Sequence, residues 1–232
     1  PDNFSGFWEK NRTLLDAEFE LIHLADKVIT PSIRKYLELL RTEFKDKVEH
    51  LPNGVDYIQY QRESARPEVY KNSDYNAVYV GAIKKWFDFN LLFDTALQKP
   101  QWQFNIIGRK PDLSAPENIK FLGEITGSRK IAYLQHADAG LIPFDHLACK
   151  DLIDYVNPIK LYEYLAAGTP VIATRWKELE HINAPAALID YTDDFVTALT
   201  DIETNPPDAG ILKEFARKFD WGSITDRLLD II

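Results

Sequence analysis

The sequence predicts an α/β fold: a Rossmann-like parallel sheet with helices on both faces. Three observations predict it. Residues 77–80, 104–107, 140–142 and 171–173 are apolar runs without polar alternation, the pattern of strands buried on both faces. Stretches of helical length and pattern stand between such runs. Two of the runs end in glycine, Gly81 and Gly108, where a parallel strand must turn toward the next helix.

The elements follow in order. In residues 1–60, Leu14, Leu15, Phe19, Ile22 and Leu24 recur at near-helical spacing and precede a short strand at 27–29. Ser32 is placed to cap a second helix with Tyr36, Leu37, Leu40 and Phe44 on one face. A strand at 48–51 ends at the turn Pro52-Asn53-Gly54. These elements are too few to cover both faces of a sheet, and the chain starts at Pro1 with no Met anywhere. The expectation is therefore that 1–60 is the tail of an N-terminal lobe and the junction after it. Residues 61–74, polar and containing Pro67, read as a linker.

Residues 75–232 then alternate regularly. Strands are expected at 77–80, 104–107, 119–122, 140–142, 171–173 and 187–189. Helices are expected from Asp88, as N-cap, to about 98, at 128–135, at 158–167, and near 209–217 and 223–231. Asp193 and Asp194 read as caps of the helix that follows them.

Bulk properties exclude several function classes. The 232 residues, 45% of them hydrophobic, are enough for a substantial core. Lys and Arg number 27 against 36 Asp and Glu, a net charge of −9, which argues against nucleic acid as a partner. No apolar run approaches the roughly 18 residues that a membrane span needs. The single cysteine, Cys149, forbids an internal disulfide and fits a reducing cytoplasm. His23, His50, His136, His146 and His181 are scattered without ligand spacing, so no metal site is expected. Neither strand-end glycine belongs to a GxGxxG or Walker pattern, so no dinucleotide or ATP cofactor is expected.

The most informative stretch is 157–170. Asn157 is suited to cap a helix, Pro158 to its first position, and Gly168 to a left-handed C-terminal cap. Lys160 then falls in the first turn, where the helix dipole disfavours a cation by about 0.3–1 kcal/mol. A bound anion resolves that conflict, since free N–H groups and an ammonium together make a phosphate site. Glu163, three residues on, shares the face and offers a carboxylate to a ribose diol. The loop after Gly81, with Lys84, Lys85 and Trp86, is placed to close over a diphosphate, and Gly108-Arg109-Lys110 is a second basic turn. An ordinary capped helix with a solvated Lys–Glu pair is the plainer alternative for the same residues.

Several segments together resemble the family-four-like glycosyltransferases of GT-B architecture. They are 25–32, Leu51-Pro52-Asn53-Gly54-Val55-Asp56, Tyr79-Val80-Gly81, 105–108, 118–123, 137–143 and above all 157–170 with Val171-Ile172-Ala173-Thr174. The resemblance covers nearly the whole chain and is strongest to enzymes of bacterial exopolysaccharide or teichuronic acid assembly. Asp2-Asn3-Phe4-Ser5-Gly6-Phe7 is similar to the segment that closes their first lobe.

The resemblance implies a donor-binding lobe for a nucleoside diphosphate sugar, with a glycan or lipid-linked acceptor served by the other lobe. It implies a cytoplasmic enzyme with peripheral contact to the inner membrane face through that other lobe. Lys160, with Asn157, Pro158 and Ile159 at the helix start, would hold the diphosphate in its catalytic role, and Glu163 the ribose. Gly81, Lys84 and Lys85 would contact phosphate, Arg109 and the backbone of Phe121 and Leu122 would lie near the base, and Gly108 would also belong to the substrate site. One position departs from the family. A second glutamate, eight residues before the one matching Glu163, helps many members hold the sugar; here it is Tyr155, beside Asp154. Sugar identity and the stereochemical course are thus left open, as are two other readings: a nucleotide-sugar epimerase and a non-catalytic nucleotide-binding module.

Overall fold

The structure, a computed structural model, describes residues 12–232. Its first unit is α1 (Arg12–Leu24), β1 (Val28–Thr30), α2 (Ile33–Leu39) and β2 (Val48–His50), with β1 and β2 paired in parallel. Ile22, Val28, Leu39, Phe44 and Val48 form a small core of their own. Ser32 caps α2 as expected, accepting from the Lys35 N–H. The apolar faces differ from expectation: α2 buries Leu39 and leaves Leu37 exposed, and α1 buries Ile22 while Leu14, Phe19 and Leu24 face outward. The Leu15 side chain and the segment 2–7 lie outside the described residues.

The second unit is the predicted parallel sheet. It runs β3 (Tyr75–Val80), α3 (Phe89–Gln98), β4 (Trp102–Ile107), β5 (Ile119–Gly123), α4 (Gly127–Gln135) and β6 (Ala139–Ile142). Then come α5 (Lys150–Ile153), α6 (Ile159–Ala167), β7 (Val171–Thr174), α7 (Lys177–Ile182) and β8 (Ala186–Ile189). The helices α8 (Thr192–Thr204), α9 (Ala209–Arg217) and α10 (Trp221–Ile231) close the chain. Asp88 caps α3, accepting from the Leu91 N–H. Asp193 and Asp194, expected as caps, sit instead in the first turn of α8, whose cap position is Tyr191. As carboxylates near a helix N-terminus they still oppose the dipole favourably.

Residues 61–74 are not a loose linker. A short 3-10 turn, Glu68–Asn72, carries Tyr70, which is fully buried and donates its hydroxyl to the Tyr133 carbonyl at 3.0 Å. Gln135 also donates to the Tyr60 and Arg62 carbonyls, both at 2.8 Å. Polar composition hid this packing, because the backbone of the segment finds its partners in α4.

The strand order is β5-β4-β3-β6-β7-β8, every neighbour parallel. The chain winds outward one way from β3 and the other way from β6, so a crevice must open beyond their carboxyl ends. The pairing shows it opening: β3 meets β6 only at Ala77–Ala139 and Val78–Gly140. Past that point Tyr164 of α6 reaches between the strands. Its hydroxyl accepts from the Val80 N–H at 3.0 Å and donates to the Leu141 carbonyl at 3.3 Å. Gly140 makes room for the ring, which would lie 2.6 Å from any Cβ there.

Candidate functional site

Several of the predicted residues converge at the crevice, and others do not. The helix α6 begins with no side-chain cap: Pro158 occupies the cap position, and its carbonyl takes the Leu161 N–H at 3.0 Å. Asn157, expected as the cap, is buried and spends its side chain elsewhere. Its Nδ2 donates to Glu178 Oε1 at 3.0 Å and its Oδ1 accepts from the Tyr162 hydroxyl at 3.1 Å. A hydrogen bond to a buried carboxylate outweighs a neutral cap. The N-terminal turn of α6 is thereby left uncapped by any side chain, as a ligand-binding helix start would be. Gly168 ends the helix in the left-handed region, φ 82°, as expected.

Lys160 stands in that first turn and reaches across to Gly81 at the end of β3. A Cβ on Gly81 would lie 3.5 Å from Lys160 Nζ, and the φ of 140° there suits only glycine. The ammonium lies 4.7 Å from the Phe144 ring centroid and 5.2 Å from that of Tyr79. Among the described residues no carboxylate comes within ion-pair distance of it. Burial pushes its pKa down to about 8, outweighing the opposite pull of Glu163. A cation enclosed by rings, short of an anion and aimed at a crevice is poised for an anionic ligand.

Next to it lies a cavity of 370 Å³ whose wall includes Gly81, Lys84, Gly108, Arg109, Ile125 and Thr126. Four predicted residues therefore come together here. Gly108 is required by closeness: a Cβ there would sit 2.4 Å from the Gly81 carbonyl oxygen. Lys84 extends beside Trp86, its Nζ 5.8 Å from that ring. Lys85 does not line the cavity; it is exposed, and its carbonyl faces the Cys149 thiol at 3.5 Å. Phe121 and Leu122 are half-buried against the core, and it is Gly123 that touches the second turn, accepting from the Gly108 N–H at 2.9 Å.

Glu163 faces an adjoining cavity of 210 Å³ with Ile159, Tyr60, Asp56, Trp221 and Lys130. The start of α4 lies between the two cavities, Thr126 bordering one and Gly127 the other. Lys130 Nζ donates to Glu163 Oε1 at 2.6 Å. The Tyr60 hydroxyl is pushed far above its ordinary pKa, by burial first and then by the Glu163 carboxylate beside it. The sequence reading passed over Lys130 and Tyr60. Lys130 carried the same sign as Lys160, a cation in the first turn of a helix.

Tyr155, at the position of the family's sugar-holding glutamate, donates to Glu38 at 2.6 Å and lies under Arg34, 4.7 Å from the guanidinium. Arg34 also pairs with buried Asp154, which accepts from His146 at 2.8 Å. Burial works to raise the Asp154 carboxyl, but His146 and Arg34 outweigh it and hold the pKa below the usual value.

Residues 74–205 match the model of the family described as glycosyl transferases group 1. The chain belongs to this family. A teichuronic acid biosynthesis glycosyltransferase by name, TuaH of Bacillus subtilis, is 25% identical over 240 residues, covering 95% of this chain and 60% of the relative. The sucrose-phosphate synthase of Thermosynechococcus elongatus superposes with a TM-score of 0.71 at 21% identity, covering 95% of this chain and 61% of that one. Anabaena HepE, solved with UDP and glucose, gives 0.72 at 16% identity over 94% of this chain and 65% of its own. The chain thus spans about three fifths of the length of these relatives. The shared architecture is that of a GT-B lobe, in agreement with the predicted fold.

Proposed function

We propose that this chain is the donor-binding part of a glycosyltransferase that moves a sugar from a nucleoside diphosphate onto a glycan or lipid-linked acceptor in bacterial surface polysaccharide synthesis. The observation that carries this reading is Lys160, an ammonium with no carboxylate partner among the described residues, set at an uncapped helix start over the β3/β6 crevice. The diphosphate would lie along Lys160, Gly81 and the Lys84 turn, with the base toward Gly108 and Arg109 and the ribose over Glu163. HepE, with its bound UDP and glucose, makes uridine diphosphate the natural probe. Charge builds on the diphosphate as its bond to the anomeric carbon breaks, and a fixed ammonium and free N–H groups would stabilise it. Acceptor binding, and peripheral contact with the inner face of the membrane, would belong to the remaining length of such enzymes. The epimerase alternative needs an acid–base pair, yet Asp154 is held ionised by His146 and Arg34, a poor proton donor.

Calorimetry with uridine diphosphate, UDP-glucose and uridine tests the reading. Both diphosphates should bind more tightly than uridine. Lys160→Ala should weaken them by about 1.5–3 kcal/mol, as loss of a charge-assisted hydrogen bond does, and leave uridine nearly unchanged. Equal binding of all three ligands would refute it.

A further inference from the structure

We infer that Lys130 is a positioning residue for Glu163, fixing which carboxylate oxygen is offered to a ribose. The inference rests on the proposal that Glu163 meets the ribose hydroxyls. The geometry that carries it is local. Lys130 Nζ holds Glu163 Oε1 at 2.6 Å, both side chains being largely shielded, and Tyr60 stands beside the same carboxylate. A free carboxylate on a helix face rotates about its terminal torsion with little preference. With Oε1 engaged by an ammonium and the Tyr60 hydroxyl bonded to the same carboxylate, the rotation stops, and the lone pairs still open are left to accept from a ligand.

Placement in the fold supports the same conclusion. Lys130 sits in the first turn of α4, where the helix dipole disfavours a cation, and Glu163 is its ion-pair partner. The structure therefore builds two first-turn lysines around one site. Lys160 has no carboxylate partner among the described residues and is kept for the ligand, while Lys130 is committed to the carboxylate.

The test measures binding of uridine diphosphate and its 2′,3′-dideoxy analogue to the full chain and its variants. Lys130→Met should weaken uridine diphosphate about fivefold, within the range for groups that act as a unit, and change the dideoxy ligand less than about twofold. Lys130→Arg should recover most of the loss. In a Glu163→Gln background, Lys130→Met should have no further effect. Equal losses for both ligands would make Lys130 merely structural, and tighter binding by Lys130→Met would make it a competitor for Glu163; either overturns the inference. If Glu163→Gln alone binds uridine diphosphate as the parent does, the ribose reading itself fails, whatever Lys130 does.

Discussion

At the scale of the residue, Lys160 is a charge held in the wrong place for stability. Its pKa, about 8 in the fold against an ordinary 10.5, means that between these values the unfolded chain binds more protons than the folded one. Stability should therefore rise with pH through that window, and the full penalty is present below pH 8. Lys160→Met should stabilise the ligand-free chain at pH 7 by on the order of 2 kcal/mol, with the gain shrinking toward pH 10. Denaturant midpoints of the two chains as a function of pH check this. An anionic ligand favours the charged form, so diphosphate affinity should fall as pH rises past 8. Lys160 was legible in the sequence because proline, lysine and glycine mark the ends of one helix within a dozen residues. Lys130 bore the same mark, but its glutamate partner lies 33 residues away, and pattern alone does not show which first-turn lysine is neutralised.

Between elements, one carboxylate joins the two units. Glu178 of α7 is fully buried and accepts from Ser32 Oγ at 3.0 Å, the Ile33 and Arg34 N–H groups at 3.1 and 3.3 Å, and Asn157 Nδ2 at 3.0 Å. It caps α2 across 145 residues of sequence and fixes Asn157, two residues before α6. Every partner is a donor, so an amide in its place would set NH₂ against N–H. Asn157 cannot turn over to relieve this without losing Tyr162. Glu178→Gln should cost about 2–4 kcal/mol, against about 1 for Ser32→Ala, and should speed amide exchange at Ile33 and Arg34. Thermal melts with hydrogen exchange would check both. The misplaced Asn157 cap has the same origin. Propensity at a helix start is local, whereas the buried charge that captured Asn157 arrives from another helix.

For the whole molecule, the strands of the parallel sheet were readable because a strand buried on both faces needs no alternation, and β3, β4, β6 and β7 are such strands. The first unit was read less well. Its small core of Ile22, Val28, Leu39, Phe44 and Val48 leaves Leu14, Phe19 and Leu24 exposed, so helical spacing overstated what is buried. Two cores of such different size should not be equally stable. Native-state exchange should find amides of β1 and β2 opening more readily than those of β3 and β4, with Glu178→Gln widening the gap. Equal protection throughout would mean that the junction welds the chain into one cooperative unit.

Lys160, Glu163 and Tyr164 all belong to α6, a helix of nine residues. One aims at Gly81, one is gripped by α4, and one wedges the strands apart beneath the crevice. Their separations are those of a single helical rod, so no loop has to fold before they stand in register. The consequence is temporal. On the proposed reading, capture of a nucleotide by these groups would be a single encounter, paced by diffusion and by the pull of Lys160 on a diphosphate. A slow rearrangement on binding would have to come from whole elements shifting against one another.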